Sequence, residues 1–218
     1  GALTKGLLQA GCKIDAIEID RDLSAKLKIG LMDLDNFSLY EANALSFDYP
    51  SIVENKQKIR LVGNLPYNIS TPLLFKLFEI IDHIEDMHFM FQFEVAQRLT
   101  SSPGQKPWGR LAILTQFHCK VTHLFNVPPD AFVPQPKVQS AVVRMKPIQQ
   151  LDTAEQVDPI ALSNATRLAF SQRRKTIGNN LKAIVDIGRL SEININVNSR
   201  AENLTLDEFI KLAKLIYD

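Results

Sequence analysis

The sequence predicts an α/β protein, a mostly parallel and doubly wound sheet over residues 1–146 followed by a small helical domain over 147–218. Three observations carry that expectation. Short β-branched or aromatic runs alternate with helix-period runs as far as Lys146, the pattern of crossover units in a parallel sheet. After Lys146 no strand candidate stands out, and the apolar spacing is helical. The 218 residues are 45% hydrophobic, enough for one large domain or for one medium and one small domain.

Each element has a local reason. Residues 2–10 have helical spacing and stop at Gly11. KIDAIEID, residues 13–20, reads as a strand with acids at its end, and RDLSAKLKIGL, 21–31, as a helix. FSLYEANAL gives a short strand and then a turn at Asn43 and Ala44. A helix near Ile52 and a strand over 59–62 follow. Thr71-Pro72 reads as an N-cap followed by a proline at the first helical position, and the helix runs to Ile81. DMHFMFQ is the next strand and FEVAQRLTS the next helix. RLAILTQFHCK is expected to be helical, VTHLFNV and VQSAVVRMK to be strands, and the proline-rich 128–137 a loop between them. In the last segment PIQQLDTAEQVD, 147–158, is a linker, and Asp158-Pro159 opens a helix to about Phe170. RRKTIGNNLKAIV is expected as a second helix, and Thr205 with Glu208 forms a capping box before a third.

Composition excludes little beyond a membrane protein of the helical kind. No apolar run is long enough to span a bilayer, and there is no secretory signal. Cys12 and Cys119 show neither a pairing pattern nor metal spacing, so reduced thiols in a cytoplasmic protein are expected. His83, His88, His118 and His123 share no ligand spacing and read as structural or surface residues, so no metal is expected. The net charge of +1 requires any basic surface to be local. SQRRKT concentrates Arg173, Arg174 and Lys175 at an expected helix start, as contacts to an RNA backbone require.

The chemistry concentrates in VGNLPYNIST, residues 62–71. Asn64, Leu65, Pro66 and Tyr67 fall on the loop leaving the carboxyl end of a strand, where open α/β sheets bind ligands. An exocyclic amine on a nucleobase is a poor nucleophile because its lone pair is delocalised into the ring. Two acceptors, the Asn64 side-chain oxygen and the Leu65 carbonyl, can hold such an amine, aim its lone pair and stabilise the charge that develops. Pro66 stiffens the turn, and Tyr67 can stack on an extruded base. A plain strand-to-helix turn would use similar residues.

GNLPYNISTPLLF resembles the catalytic motif of the ribosomal RNA adenine N6,N6-dimethyltransferases, the KsgA family. Other blocks resemble that family in order: GALT, AIEIDRDL, DMHFMFQFEVAQRL, WGRLAILTQ, VPPDAFVPQPKVQSAVVR and AFSQRRKTIGNNL. The resemblance implies a class I, Rossmann-like S-adenosylmethionine-dependent methyltransferase fold with a C-terminal helical rRNA-binding domain. It implies dimethylation of two adjacent adenines in small-subunit (16S) rRNA, linked to assembly of the immature small subunit, by a monomer. S-adenosylmethionine is the implied methyl donor, held by Gly1, Glu18, Ile19, Asn43, Ala44 and Asn64, with Glu18 on the two ribose hydroxyls. Asn43 stands where the family usually has an Asp facing the adenine, and an amide can accept or donate there. Phe132 is implied as a second stacking face for the target base, and Lys137 as a phosphate contact. The family's first strand and most of its glycine-rich loop would precede Gly1. The chain is therefore expected to be N-terminally truncated and to bind the cofactor weakly or not at all. Two alternatives remain open from sequence: an Erm-type large-subunit (23S) rRNA dimethyltransferase, and a non-catalytic assembly or RNA-binding factor of the same fold.

Overall fold

A computed structural model describes residues 1–31, 33–53, 57–66, 68–148 and 157–217. They form two compact units, one of Gly1–Lys58 and Pro72–His83, the other of Ile59–Thr71 and Ile84–Asp218.

The first unit opens with α1 (Ala2–Gln9), which stops where Gly11 takes a left-handed φ of 81°. β1 (Ile14–Glu18), α2 (Arg21–Leu31) and β2 (Phe37–Glu41) then form one crossover unit. β1 and β2 pair in parallel, from Ile14 opposite Phe37 to Glu18 opposite Glu41. Asp20 starts α2 by accepting from the N–H groups of Asp22 (2.9 Å) and Leu23 (3.0 Å). The helix expected near Ile52 is a single tight turn, Tyr49–Ile52.

The second unit holds a four-stranded sheet in the order β3-β4-β6-β5. Its strands are β3 (Ile59–Asn64), β4 (Ile84–Gln92), β5 (Cys119–Val127) and β6 (Ser140–Pro147). α3 (Ser70–Phe78) lies between β3 and β4 in the chain, and its expected last turn is replaced by a separate 3-10 turn at Ile81–His83. α4 (Phe93–Leu99) and α5 (Arg110–His118) lie between β4 and β5. The expected mostly parallel direction holds for three of these four strands, β3, β4 and β5, and β6 alone among them is reversed. β3 and β4 are parallel, but β4 with β6 and β5 with β6 are antiparallel. The reason lies in the connector: residues 128–139 hold only a one-turn 3-10 helix, too little for the crossover that parallel neighbours need.

α5 is buried nearly all round, through Ala112, Ile113, Leu114 and Thr115. It shares one core with α6 (Pro159–Ala169), α7 (Ile177–Leu181), α8 (Ile187–Glu192) and α9 (Leu206–Tyr217). Asp158 caps α6 through the Ile160 N–H at 2.9 Å, with Pro159 in the first turn. The capping box of α9 is present in both directions, Glu208 N–H to Thr205 Oγ1 (3.2 Å) and Thr205 N–H to Glu208 Oε2 (2.7 Å). The long second helix expected over 173–185 is instead the short α7. Thr176 caps it, and Arg173, Arg174 and Lys175 lie in the turn ahead of it rather than at a helix start. α8 was not anticipated; Asp186 caps it through the Gly188 N–H.

α5 ends at His118, and the expected continuation through Cys119 and Lys120 belongs to β5. Burial lowers the His118 imidazole from its ordinary value to about 4 and pushes the Cys119 thiol up to about 12. Above pH 6.5 the imidazole is neutral in both folded and unfolded chains. Below it the unfolded chain takes a proton that the folded chain refuses, so stability is lost between about pH 6.5 and 4. The full shift corresponds to roughly 3 kcal/mol at 1.36 kcal/mol per unit, discounted to about 1–2 kcal/mol because the ring is only partly covered. Denaturant melts across that window are expected to show a shallower acid slope for His118→Gln than for wild type. Parallel slopes would place the acid sensitivity elsewhere.

Candidate active site

The first unit brings four of the candidate residues to the carboxyl ends of two adjacent parallel strands. Glu18 ends β1, half-buried, and its Oε1 accepts the Asp20 N–H at 2.9 Å. One carboxylate oxygen is thereby fixed in place, and the other remains available as an acceptor. Ile19 follows with 64% of its surface exposed, an apolar side chain that the local fold leaves uncovered. The Ala42 N–H donates to the Glu18 carbonyl at 3.0 Å, which carries the pairing one residue past β2. Asn43 comes next. Its Oδ1 accepts the Leu45 N–H at 2.9 Å and its carbonyl accepts the Ser46 N–H at 3.0 Å, a tight turn that leaves the side chain exposed. Tyr49 underpins this turn by donating its hydroxyl to the Ala44 carbonyl at 2.9 Å. Burial pushes its phenol up to about 12, so it stays a donor at neutral pH. Gly1 is the N-cap of α1, and a Cβ there would lie 2.8 Å from the Leu27 side chain.

The second unit holds the other candidates. Asn64 is the last residue of β3, paired with Met90 of β4, and is exposed. Leu65 turns inward and is buried, while Pro66 is exposed and its carbonyl accepts the Ile69 N–H at 3.1 Å. Tyr67 lies outside the described residues. Gly63 was not singled out from sequence, yet a Cβ there would stand 3.2 Å from Leu65 Cδ2 and 3.5 Å from Phe89 Cδ1. Its missing side chain makes room for Leu65 to fold back under the loop. Asn64, Leu65 and Pro66 face Phe132, Pro134 and Pro136 across an open cavity of about 260 Å³. That is closer to the size of one heterocycle than of a drug-sized ligand. The two prolines, also unforeseen, supply rigid walls without N–H donors. Lys137 is exposed and is not among the residues lining this cavity.

Arg173, Arg174 and Lys175 are exposed, and among the described residues no side-chain hydrogen bond or ion pair engages Arg174 or Lys175. Arg173 contacts Glu202 at 3.3 Å and donates to the Lys106 carbonyl at 2.8 Å. Among the described residues no three His, Cys, Asp or Glu side chains are grouped to hold a metal ion, and no helix is long and apolar enough to cross a membrane.

A family model described as ribosomal RNA adenine dimethylase matches residues 1–218. The ribosomal RNA small subunit methyltransferase A of Pseudomonas aeruginosa is 50% identical over 215 residues, 98% of this chain and 79% of its own length. The protein of that name from Vibrio atlanticus is 44% identical over 218 residues, covering 100% of this chain and 80% of its own. A crystal structure of a dimethyladenosine transferase from Plasmodium falciparum superposes with a TM-score of 0.75 at 26% identity, over 92% of this chain and 80% of that one. The 23S rRNA methyltransferase ErmE superposes with a TM-score of 0.71 at 20% identity, over 94% and 82%, a likeness of fold alone. The fold shared with both is the class I, Rossmann-like methyltransferase fold, and the chain belongs to the ribosomal RNA adenine dimethylase family.

Proposed function

We propose that the protein transfers methyl groups from S-adenosylmethionine to N6 of two adjacent adenines in small-subunit rRNA, two rounds per adenine. The observation that carries this reading is the acceptor pair at the end of β3. Asn64 projects from the strand end, the buried Leu65 fixes the following carbonyl, and Phe132 stands across the cavity. The residues in the first unit fit the methyl donor. The open oxygen of Glu18 suits a ribose diol, the Asn43 amide and Ala44 suit an adenine edge, and exposed Ile19 suits its ring. S-adenosylmethionine supplies an electrophilic methyl group. Everything else falls to the chain. Asn64 Oδ1 and the Leu65 carbonyl accept the two amine hydrogens, which orients the lone pair and stabilises positive charge on N6. Phe132, with Tyr67, stacks on the base. The methylated ammonium is strongly acidic and loses its proton to water, so no buried base is required. Residues 1–146 carry this chemistry, and 147–218 with Lys137 bind rRNA.

The experiment is methyl transfer from labelled S-adenosylmethionine by full-length protein to immature small subunits, to protein-free 16S rRNA and to 23S rRNA. Dimethyladenine at two adjacent positions of the small-subunit RNA is expected. Label confined to 23S rRNA, or binding without transfer, would sink the reading. Glu18→Ala is expected to weaken cofactor binding while leaving the melting curve intact, because only contacts to the ribose are lost. Titration calorimetry on full-length protein reads this, and an unchanged dissociation constant would leave Glu18 a turn residue.

A further inference from the structure

A second cavity, about 600 Å³, opens in the unit that holds β3–β6, between the start of α5 and the turn ahead of α7. Among the described residues Arg98, Lys106, Arg110 and Arg173 line it, with Glu94 as the one acid. The neighbours sort these cations into two kinds. Arg98 is matched by Glu94 one helical turn away. Arg173 is held by Glu202 and by the Lys106 carbonyl. Lys106 and Arg110 are different: among the described residues no ion pair or hydrogen bond engages either charged group.

The backbone adds positive potential to the same wall. α5 starts at Gly109, which brings no side-chain oxygen to its first-turn N–H groups, and that turn holds no acid. Such a helix start carries roughly half a positive charge. Gly109, Arg110 and Leu111 all line the cavity. The wall is also held in place. The Trp108 indole N–H donates to the Leu204 carbonyl at 2.9 Å, and the Gly104 N–H to the Glu202 carbonyl at 2.7 Å. The aromatic side chains here are largely engaged. Trp108 is 3% exposed, and Phe170 stacks on Phe209 at 5.7 Å. With Trp108 buried and one face of Phe170 taken, the cavity offers mainly charge and N–H donors. That is the chemistry of backbone phosphate, which positions RNA without reading its sequence.

We infer that this cavity seats a phosphodiester of the rRNA backbone, with Lys106 and Arg110 as its charged ligands and the start of α5 as its donor face. Arg173 braces the 106 loop. The inference rests on the proposed rRNA substrate.

The test is binding of full-length protein to protein-free 16S rRNA at several salt concentrations. Lys106→Ala/Arg110→Ala is expected to weaken binding roughly tenfold, as for a lost charge-assisted bond. It is also expected to flatten the dependence of log affinity on log salt by about 0.7–0.9 per lost contact. Lys106→Arg/Arg110→Lys is expected to keep the wild-type slope. Gly109→Asp separates binding from folding. A Cβ there meets nothing nearer than the Pro107 carbonyl at 4.0 Å, and aspartate is a good N-cap. The variant is expected to melt higher than wild type and yet bind rRNA more weakly. Wild-type affinity and slope in the double alanine variant would overturn the inference. So would a loss seen on immature particles but not on protein-free rRNA, which would hand the cavity to an acidic protein surface. Wild-type methyl transfer is measured separately: its absence would sink the proposed function and leave the slope comparison standing.

Discussion

Asn64→Ala in the full-length protein is expected to lower turnover on immature small subunits by about 10²–10³, the usual consequence of removing one preorganised electrostatic partner. Asn64 is exposed at the end of β3 and lines the cavity, so loss of its side chain costs the fold little. The amine would keep one acceptor, the Leu65 carbonyl, and lose the other. The lone pair would no longer be held toward the methyl donor, and the charge on N6 would be half-supported. Binding of rRNA is expected to stay close to wild type, because phosphate contacts dominate affinity and the role proposed for Asn64 is on the base. The effect should therefore fall on kcat more than on KM. Asn64→Asp is the sharper comparison. It keeps an acceptor at the same place and adds a negative charge beside a developing positive one, so it should retain more activity than alanine. Native turnover in Asn64→Ala would remove the acceptor pair from the mechanism.

How much of this was legible in the sequence depends on the distance over which each feature is encoded. β1, α2 and β2 follow from a local pattern, and Thr205 with Glu208 marks α9 within three residues. The candidate loop was legible for the same reason, since Asn64, Leu65 and Pro66 are contiguous and follow a short apolar strand. Phe132 and the two prolines sit far along the chain. The pairing of β4 with β6 brings that loop to the cavity, and a mostly parallel pattern does not by itself say which strand is reversed. The signal was present, because residues 128–137 are too rich in proline to hold a crossover helix. Residues 173–185 look like one helix because Arg173 to Lys175 have good helix propensity, whereas Thr176 is the cap at which α7 begins. Lys106 and Arg110 looked like ordinary loop and helix-start cations. What singles them out is the commitment of Arg98 and Arg173 to other partners, which no spacing rule displays.

Arg144→Met is expected to destabilise the fold by roughly 3 kcal/mol at pH 7, the scale for stripping one partner from a buried charge. Asp86 is fully buried on β4. Arg60, opposite it on β3, reaches it through Nε and Nη2, and Arg144 on β6 donates to its Oδ2 at 2.8 Å. His88, paired with Arg144 across the ladder, stands 3.4 Å from its Oδ1. Burial pushes the Asp86 carboxyl up, but the hydrogen bonds from Arg60 and Arg144 and then the charges of His88 and Arg60 outweigh it and hold it below the ordinary range. Three strands are thus tied through one carboxylate. A one-residue slip of β3 or β6 would turn its arginine to the opposite face, so the cluster fixes register as well as adding stability. The guanidinium groups keep partial access to water, so the buried carboxylate is the member that suffers when a partner is lost. With Arg144 gone, Asp86 keeps Arg60 and the nearby His88 but loses a charged donor, and its carboxyl rises. The sign of the pH effect follows. Wild type draws stability from ionised Asp86 above the unfolded value and loses it as pH falls through the lower folded value. The variant draws less, so the gap between the two should be widest near neutrality and narrow toward acid. Denaturant melts at several pH values check this. A double variant, Asp86→Asn/Arg144→Met, should cost clearly less than the sum of the two single changes, because the methionine no longer strands a charge. Additive costs, or a gap that widens in acid, would mean that Asp86 is not the anchor of this sheet.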